Sequence, residues 1–129
     1  MIDDAELASA AREAALGSYS PYSRFRVGAV VVGDDGRVFV SANVENAAYP
    51  MTQCAEANAV NYAVSQGVRK IAAVGVACVD AGSLDQSYPC GRCRQIMSEF
   101  DVGRIVVTNA GDDFRVHTLD DLLPHRFSF

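Results

Sequence analysis

Apolar and polar positions change their period several times along the 129 residues, and each change marks an element. Residues 3–16 start acidic, place Ala and Leu at helical spacing and stop at Gly17, which predicts an N-terminal helix with a glycine C-cap. "SYSPYSRF", residues 18–25, is rich in turn formers and aromatics and reads as an ordered loop. The β-branched runs "VGAVVVG" and "RVFVSAN" flank Asp-Asp-Gly and predict a hairpin. Residues 44–52 connect to "TQCAEANAVNYAVSQG", where helical spacing returns with Thr52 as predicted N-cap and Gly67 as the stop. "KIAAVGVACV" is a continuous apolar run of strand length, as a buried central strand requires. "GRCRQIMSEF" reads as a second core helix, "RIVVTN" and "FRVH" as strands, and "TLDDLLP" as a capped helical turn. The order α-β-β-α-β-α-β, with "FRVH" as a short further strand, predicts an α/β fold, a mixed sheet with helices on both faces. No repeat, linker or low-complexity segment interrupts it, so residues 1–129 are expected to form a single domain.

Charge narrows the partners. The net charge is -5 and the basic residues are scattered, which argues against nucleic acid and suits a small, weakly charged ligand. The acidic start lacks the basic lead and apolar core of a signal peptide, and no apolar run reaches membrane-spanning length. Four cysteines are too few for a disulfide scaffold. A cytoplasmic location with reduced, metal-available thiols is therefore expected, and no membrane partner.

The thiols form a pattern. Cys90 and Cys93 stand at i and i+3 at a predicted helix start, after Pro89, where the helix dipole favours thiolate. A pair of cysteines is half a zinc site; taken alone it also fits a redox pair or a structural knuckle. Cys54 supplies a third thiol at another helix start, and Glu56, two residues on, can reach a centre above that helix end. Three ligands with one open position are the arrangement of catalytic zinc. Cys78 competes for the fourth place, but it lies in the apolar run and is expected in the core. A zinc-stapled structural module would need a fourth ligand, and neither His117 nor His125 lies in a matching motif.

"C-A-E" followed by "P-C-G-R-C-R-Q" resembles the zinc-deaminase signature in its three-cysteine form. "Y-S-P-Y-S-R-F", "N-V-E-N-A-A-Y-P" and "L-L-P-x-x-F", in the right order from residue 19 to 127, narrow the resemblance to short-chain cytidine deaminase. That resemblance implies the family's three-layer α/β sandwich, a mixed five-stranded sheet with helices on both faces, and hydrolytic deamination of cytidine and 2'-deoxycytidine. It implies one Zn²⁺ per subunit, held by Cys54, Cys90 and Cys93, with Glu56 as the proton carrier. Asn43 and Glu45 would hold the ribose hydroxyls, Phe25 would pack on the pyrimidine, and the Ala55 backbone would fix its polar edge. Tyr49 and Phe127 resemble residues that complete a neighbouring subunit's site, which implies a homotetramer.

The chain departs from the family twice. Ala57 stands where many three-cysteine members carry arginine, so the thiolates lack a counter-charge there; Arg92, between two ligands, is expected to donate hydrogen bonds to them instead. Gln53 replaces the usual apolar residue at the pocket entrance. That change raises the alternative of a modified cytosine nucleoside, such as blasticidin S, as substrate. Editing of flipped bases in a nucleic acid shares the chemistry, but the acidic charge opposes it.

Overall fold

The computed structural model describes residues 2–129. The chain runs α1 (Asp4–Ala15), β1 (Val27–Gly33), β2 (Val38–Ala42), α2 (Ala55–Ser65), β3 (Ile71–Cys78), α3 (Gly91–Glu99), β4 (Arg104–Thr108), β5 (Phe114–His117) and α4 (Leu119–Leu122). Asp3 opens α1 as its N-cap, its carboxylate accepting from the Glu6 N–H at 2.8 Å. The helix ends one residue earlier than the glycine suggested. Leu16 is the C-cap in right-handed geometry, and Gly17 needs no positive φ. Glycine matters elsewhere: Gly36 at φ 88° closes the β1–β2 hairpin, and Gly67 at φ 98° terminates α2.

The five strands form one sheet in the order β2-β1-β3-β4-β5. β3 pairs antiparallel with β1 and parallel with β4, with α3 in the crossover, so the sheet is mixed as predicted. The two-residue period of a strand sends alternate side chains to opposite faces. Val30, Val32, Ala73, Ala77 and Val106 meet Leu7, Ala8 and Ala11 of α1. Ala29, Val31, Val74, Val76, Ile105 and Val107 form the core under α2 and α3. The α1 backbone rides very close to the sheet because Gly28 lies beneath it. A Cβ at that position would sit 2.2 Å from the Ala11 carbonyl oxygen.

Two helix starts are unusual. Thr52 does not cap α2; its hydroxyl accepts from the Asn46 N–H at 3.1 Å, and Cys54 takes the N-cap place at φ -70°, ψ 153°. Cys90 occupies the same place before α3, at φ -68°, ψ 170°. Neither makes a side-chain capping bond, because each thiol is directed at the other rather than at its own helix. Neither N-cap side chain therefore serves its helix's first-turn N–H groups, and the positive ends of two dipoles converge on one place. Among the described residues no helix is long and apolar enough to cross a membrane.

Candidate active site and metal centre

The Sγ atoms of Cys54, Cys90 and Cys93 all lie within 4.8 Å of one another. No fourth His, Cys, Asp or Glu joins that group among the described residues. Cys78 ends β3 in the wall of the adjoining cavity, where burial pushes its thiol up and keeps it neutral. The three clustered thiols share protons. A hydrogen bond from Cys93 pulls Cys54 down to about 6 against its burial, helped by Cys90 and by the charge of Arg92. The same bond, with burial, holds Cys93 well above the ordinary thiol range. A ready thiolate and two partners at chelating distance suit Zn²⁺, which takes thiolate from each and releases the protons. The donor set fits the metal and leaves a fourth position open.

Glu56 lies in the first turn of α2 with 4% of its surface exposed. Burial pushes its carboxyl up to about 7; hydrogen bonds from its own N–H and from Cys93 oppose that, and negative Cys54 adds to it. A carboxyl poised near neutral pH can take and return a proton without large cost.

Beside the cluster is a cavity of about 260 Å³, walled by the loop before α2, by Val27 and Val76, and by Gln86–Tyr88. A larger hollow of about 430 Å³ lies between α3 and the C-terminal tail, but none of the cysteines reaches it. Asn43 and Glu45 line the smaller cavity, though most of their hydrogen bonds are spent on the loop before β1. Asn43 Oδ1 accepts from the Val27 N–H at 3.0 Å and from the Ser18 hydroxyl, while Nδ2 donates to the Phe25 carbonyl at 2.9 Å. Glu45 accepts from the Tyr22 and Ser23 N–H groups at 2.9 and 3.1 Å and from the Ser23 hydroxyl. Despite burial, those bonds keep its carboxyl below the usual range. One amide N–H of Asn43 and one lone pair of Glu45 remain, the donor and acceptor that a hydroxyl group needs.

Ala55 lines the cavity; Phe25, Tyr49 and Phe127 do not. Phe25 is partly exposed on the preceding loop. Tyr49 is 74% exposed and packs edge-on against Tyr22 in a shallow neighbouring cleft. Phe127, 64% exposed, packs against Phe129 beside α3. The two departures noted in the sequence meet here. Arg92 Nη2 donates to Gln53 Oε1 at 3.0 Å, in place of the expected bond to a thiol, and acts on Cys54 through charge. Gln53 holds that charge near the cluster.

Sequence reasoning missed the segment that walls the cavity on the Cys90 side. Ser87 and Tyr88 carry no motif of their own; their only signal is adjacency to Cys90. His117, which lies in no sequence motif, is half-buried, and its Nε2 lies 2.7 Å from the Tyr88 hydroxyl.

Residues 1–109 match the family model of the cytidine and deoxycytidylate deaminase zinc-binding region. A cytidine deaminase of Sporosarcina psychrophila is 40% identical over 129 residues, covering 98% of this chain and 93% of that one. A cytidine deaminase of Mycobacterium tuberculosis is 44% identical over 117 residues, covering 91% and 84%. The crystal structure of a cytidine deaminase from Burkholderia pseudomallei superposes with a TM-score of 0.85 at 42% identity, covering 94% of this chain and 96% of that one.

Proposed function

The chain belongs to the cytidine and deoxycytidylate deaminase family, and on that premise we propose that it is a cytidine deaminase, converting cytidine and 2'-deoxycytidine to the uridine nucleosides and ammonia. The observation that carries this reading is Glu56. It is a buried carboxyl poised near neutrality, two residues from the N-cap cysteine of a three-thiol cluster. Cys54, Cys90 and Cys93 hold zinc, which when bound acts as a Lewis acid and makes water nucleophilic at neutral pH.

The chain's own groups do the rest. Asn43 and Glu45 grip the ribose with their remaining donor and acceptor, and the Ala55 backbone fixes the polar edge of the base. Water adds at C4 while Glu56 removes one of its protons and delivers it to N3. Glu56 then carries the second proton to the amino group as the C4–N bond breaks, leaving a carbonyl and ammonia. The cysteines' two helix N-termini and the charge of Arg92, held by Gln53, offset the negative thiolates. Tyr49 and Phe127, large and turned outward, complete neighbouring sites in a homotetramer of single-domain subunits, and Phe25 closes over the base when the site fills. The enzyme works in the cytoplasm, where its four free cysteines stay reduced.

Ultraviolet-monitored deamination of cytidine, deoxycytidine and blasticidin S tests this, with Glu56→Gln as control. Zinc-loaded protein is expected to deaminate the first two. Failure on both ends the assignment, and turnover of blasticidin S alone replaces it.

A further inference from the structure

Cys54 and Cys90 are both N-cap residues, so each is tied into its helix on one side only. The Cys54 carbonyl accepts from the Asn58 N–H at 3.1 Å and the Cys90 carbonyl from the Arg94 N–H at 3.0 Å. On the other side the preceding peptide unit decides where the thiol points, because turning that unit swings the Cα–Cβ bond. Before Cys54 the backbone itself locks it: Gln53 donates to the Val44 carbonyl at 2.9 Å and accepts from the Val44 N–H at 3.0 Å. Before Cys90 that device is missing. Among the described residues no strand or bridge pairs with Pro89, and a proline has no N–H to donate. Cys90 is also the exposed member of the three thiols, whereas Cys93 is buried in the core and Cys54 packs against it.

A side chain takes over the task. The Pro89 carbonyl accepts from Arg94 Nε at 2.8 Å, and Nη1 of the same guanidinium donates to the Leu122 carbonyl at 2.7 Å. Leu122 ends α4, where carbonyls lack partners within the helix. That end is a firm post: Thr118 and Asp121 bond reciprocally at 3.0 and 3.2 Å, and Leu119 and Leu122 lie in the core with Cys93. Both partners are carbonyls rather than carboxylates, so the residue serves geometry and not an ion pair. A rigid planar guanidinium holds two acceptors in a fixed relation, which an ammonium on a flexible stem cannot do. We propose that Arg94 is a positioning residue of the metal centre: by bridging the Pro89 and Leu122 carbonyls it fixes the peptide before Cys90 and aims that thiolate at the zinc. This rests on Cys54, Cys90 and Cys93 holding the metal. The two arginines then divide the work, Arg92 acting on the thiolates by charge and Arg94 by position. The C-terminal helix α4 becomes part of the centre's support.

Zinc affinity, measured by chelator competition in reductant, tests this on Arg94→Lys and Arg94→Gln, each made also in a Cys90→Ser background. Both are expected to weaken zinc about tenfold to a hundredfold in the native background, the usual cost of losing a group that orients a metal ligand. In the Cys90→Ser background the loss is expected to stay under about twofold, because a thiolate already removed cannot be misaimed. Arg94→Lys keeps the charge and serves alone if Arg94→Gln does not fold. Wild-type affinity in Arg94→Lys overturns the proposal, since charge would then suffice. An equal loss in both backgrounds also overturns it, since that would mean a general loosening of α3 rather than an effect through Cys90. Wild-type protein that takes up no zinc overturns the metal assignment, and this proposal with it; a zinc-binding wild type with unaffected variants overturns this proposal alone.

Discussion

Glu56→Gln should cost the enzyme its activity and make the metal-free protein more stable, and the size of the gain follows from the site. The folded carboxyl titrates at about 7 rather than at its ordinary 4.5, because it is desolvated beside the thiols. A shift of that size corresponds to about 3 kcal/mol, at about 1.4 kcal/mol per pH unit. The sign is set by proton uptake. Between pH 4.5 and 7 the folded state keeps a proton that the unfolded chain has lost, so stability falls as pH rises through this window. Above 7 both states are ionised and the full cost persists. Glutamine never ionises, so the variant escapes it.

A glutamine amide brings two N–H donors into the same buried place, and failing to pair one costs about 1 kcal/mol. The net gain is then about 2 kcal/mol at pH 8 and near zero at pH 5. For a chain of this length that is roughly an 8 °C rise in melting temperature. Urea or thermal unfolding of both proteins in chelator and reductant, at pH 5, 6.5 and 8, measures it. A difference between variant and wild type that does not grow with pH would mean that Glu56 is not held protonated by burial. Zinc should shrink the gain, because a divalent cation beside Glu56 favours its charged form. In the zinc-loaded form the same substitution is expected to reduce turnover by at least about a thousandfold, from loss of the proton carrier.

Other residues give shorter tests. Gly28→Ala would place a Cβ 2.2 Å from the Ala11 carbonyl and must lift α1 off the sheet. A loss of about 3 kcal/mol is expected by urea unfolding, and a loss under about 1 kcal/mol would mean that the helix yields freely. Arg92→Ala should weaken zinc retention about threefold to tenfold in a chelator competition, as suits a partly solvated charge. Gln53→Leu, which frees that guanidinium, should give a smaller loss in the same direction; equal affinity in both variants removes Arg92 from the account. His117→Leu and Tyr88→Phe should each lower kcat/KM about fivefold, since both break the bond that fixes the cavity wall. Their double variant should be no worse than either alone; full additivity would mean that the two act separately.

The parts of this molecule that could be read from the chain are those governed by short-range rules. The alternation in "VGAVVVG" against "IAAVGVAC" fixes which side chains face α1 and which face the metal-bearing helices, because strand period is a local property. The hairpin turn at Gly36 and the stop at Gly67 follow from the same kind of rule. What escaped are contacts between segments far apart in the chain: Arg92 with Gln53, 39 positions away, and Tyr88 with His117, 29 away. No periodicity links such pairs. The misplaced cap of α2 is a different kind of failure. Thr52 is a good capping residue and cysteine a poor one, so propensity chose the wrong residue. Cysteine holds the N-cap before both α2 and α3, and in neither does its side chain serve the helix. A cap position given to a residue that does not cap sacrifices local helix stability twice over. Such a breach of a local rule is expected where function sets the residue. The two breaches converge within 4.8 Å, with a third thiol one turn along α3. The error in reading the helix start therefore points to the metal centre by itself, before any resemblance to another protein is considered.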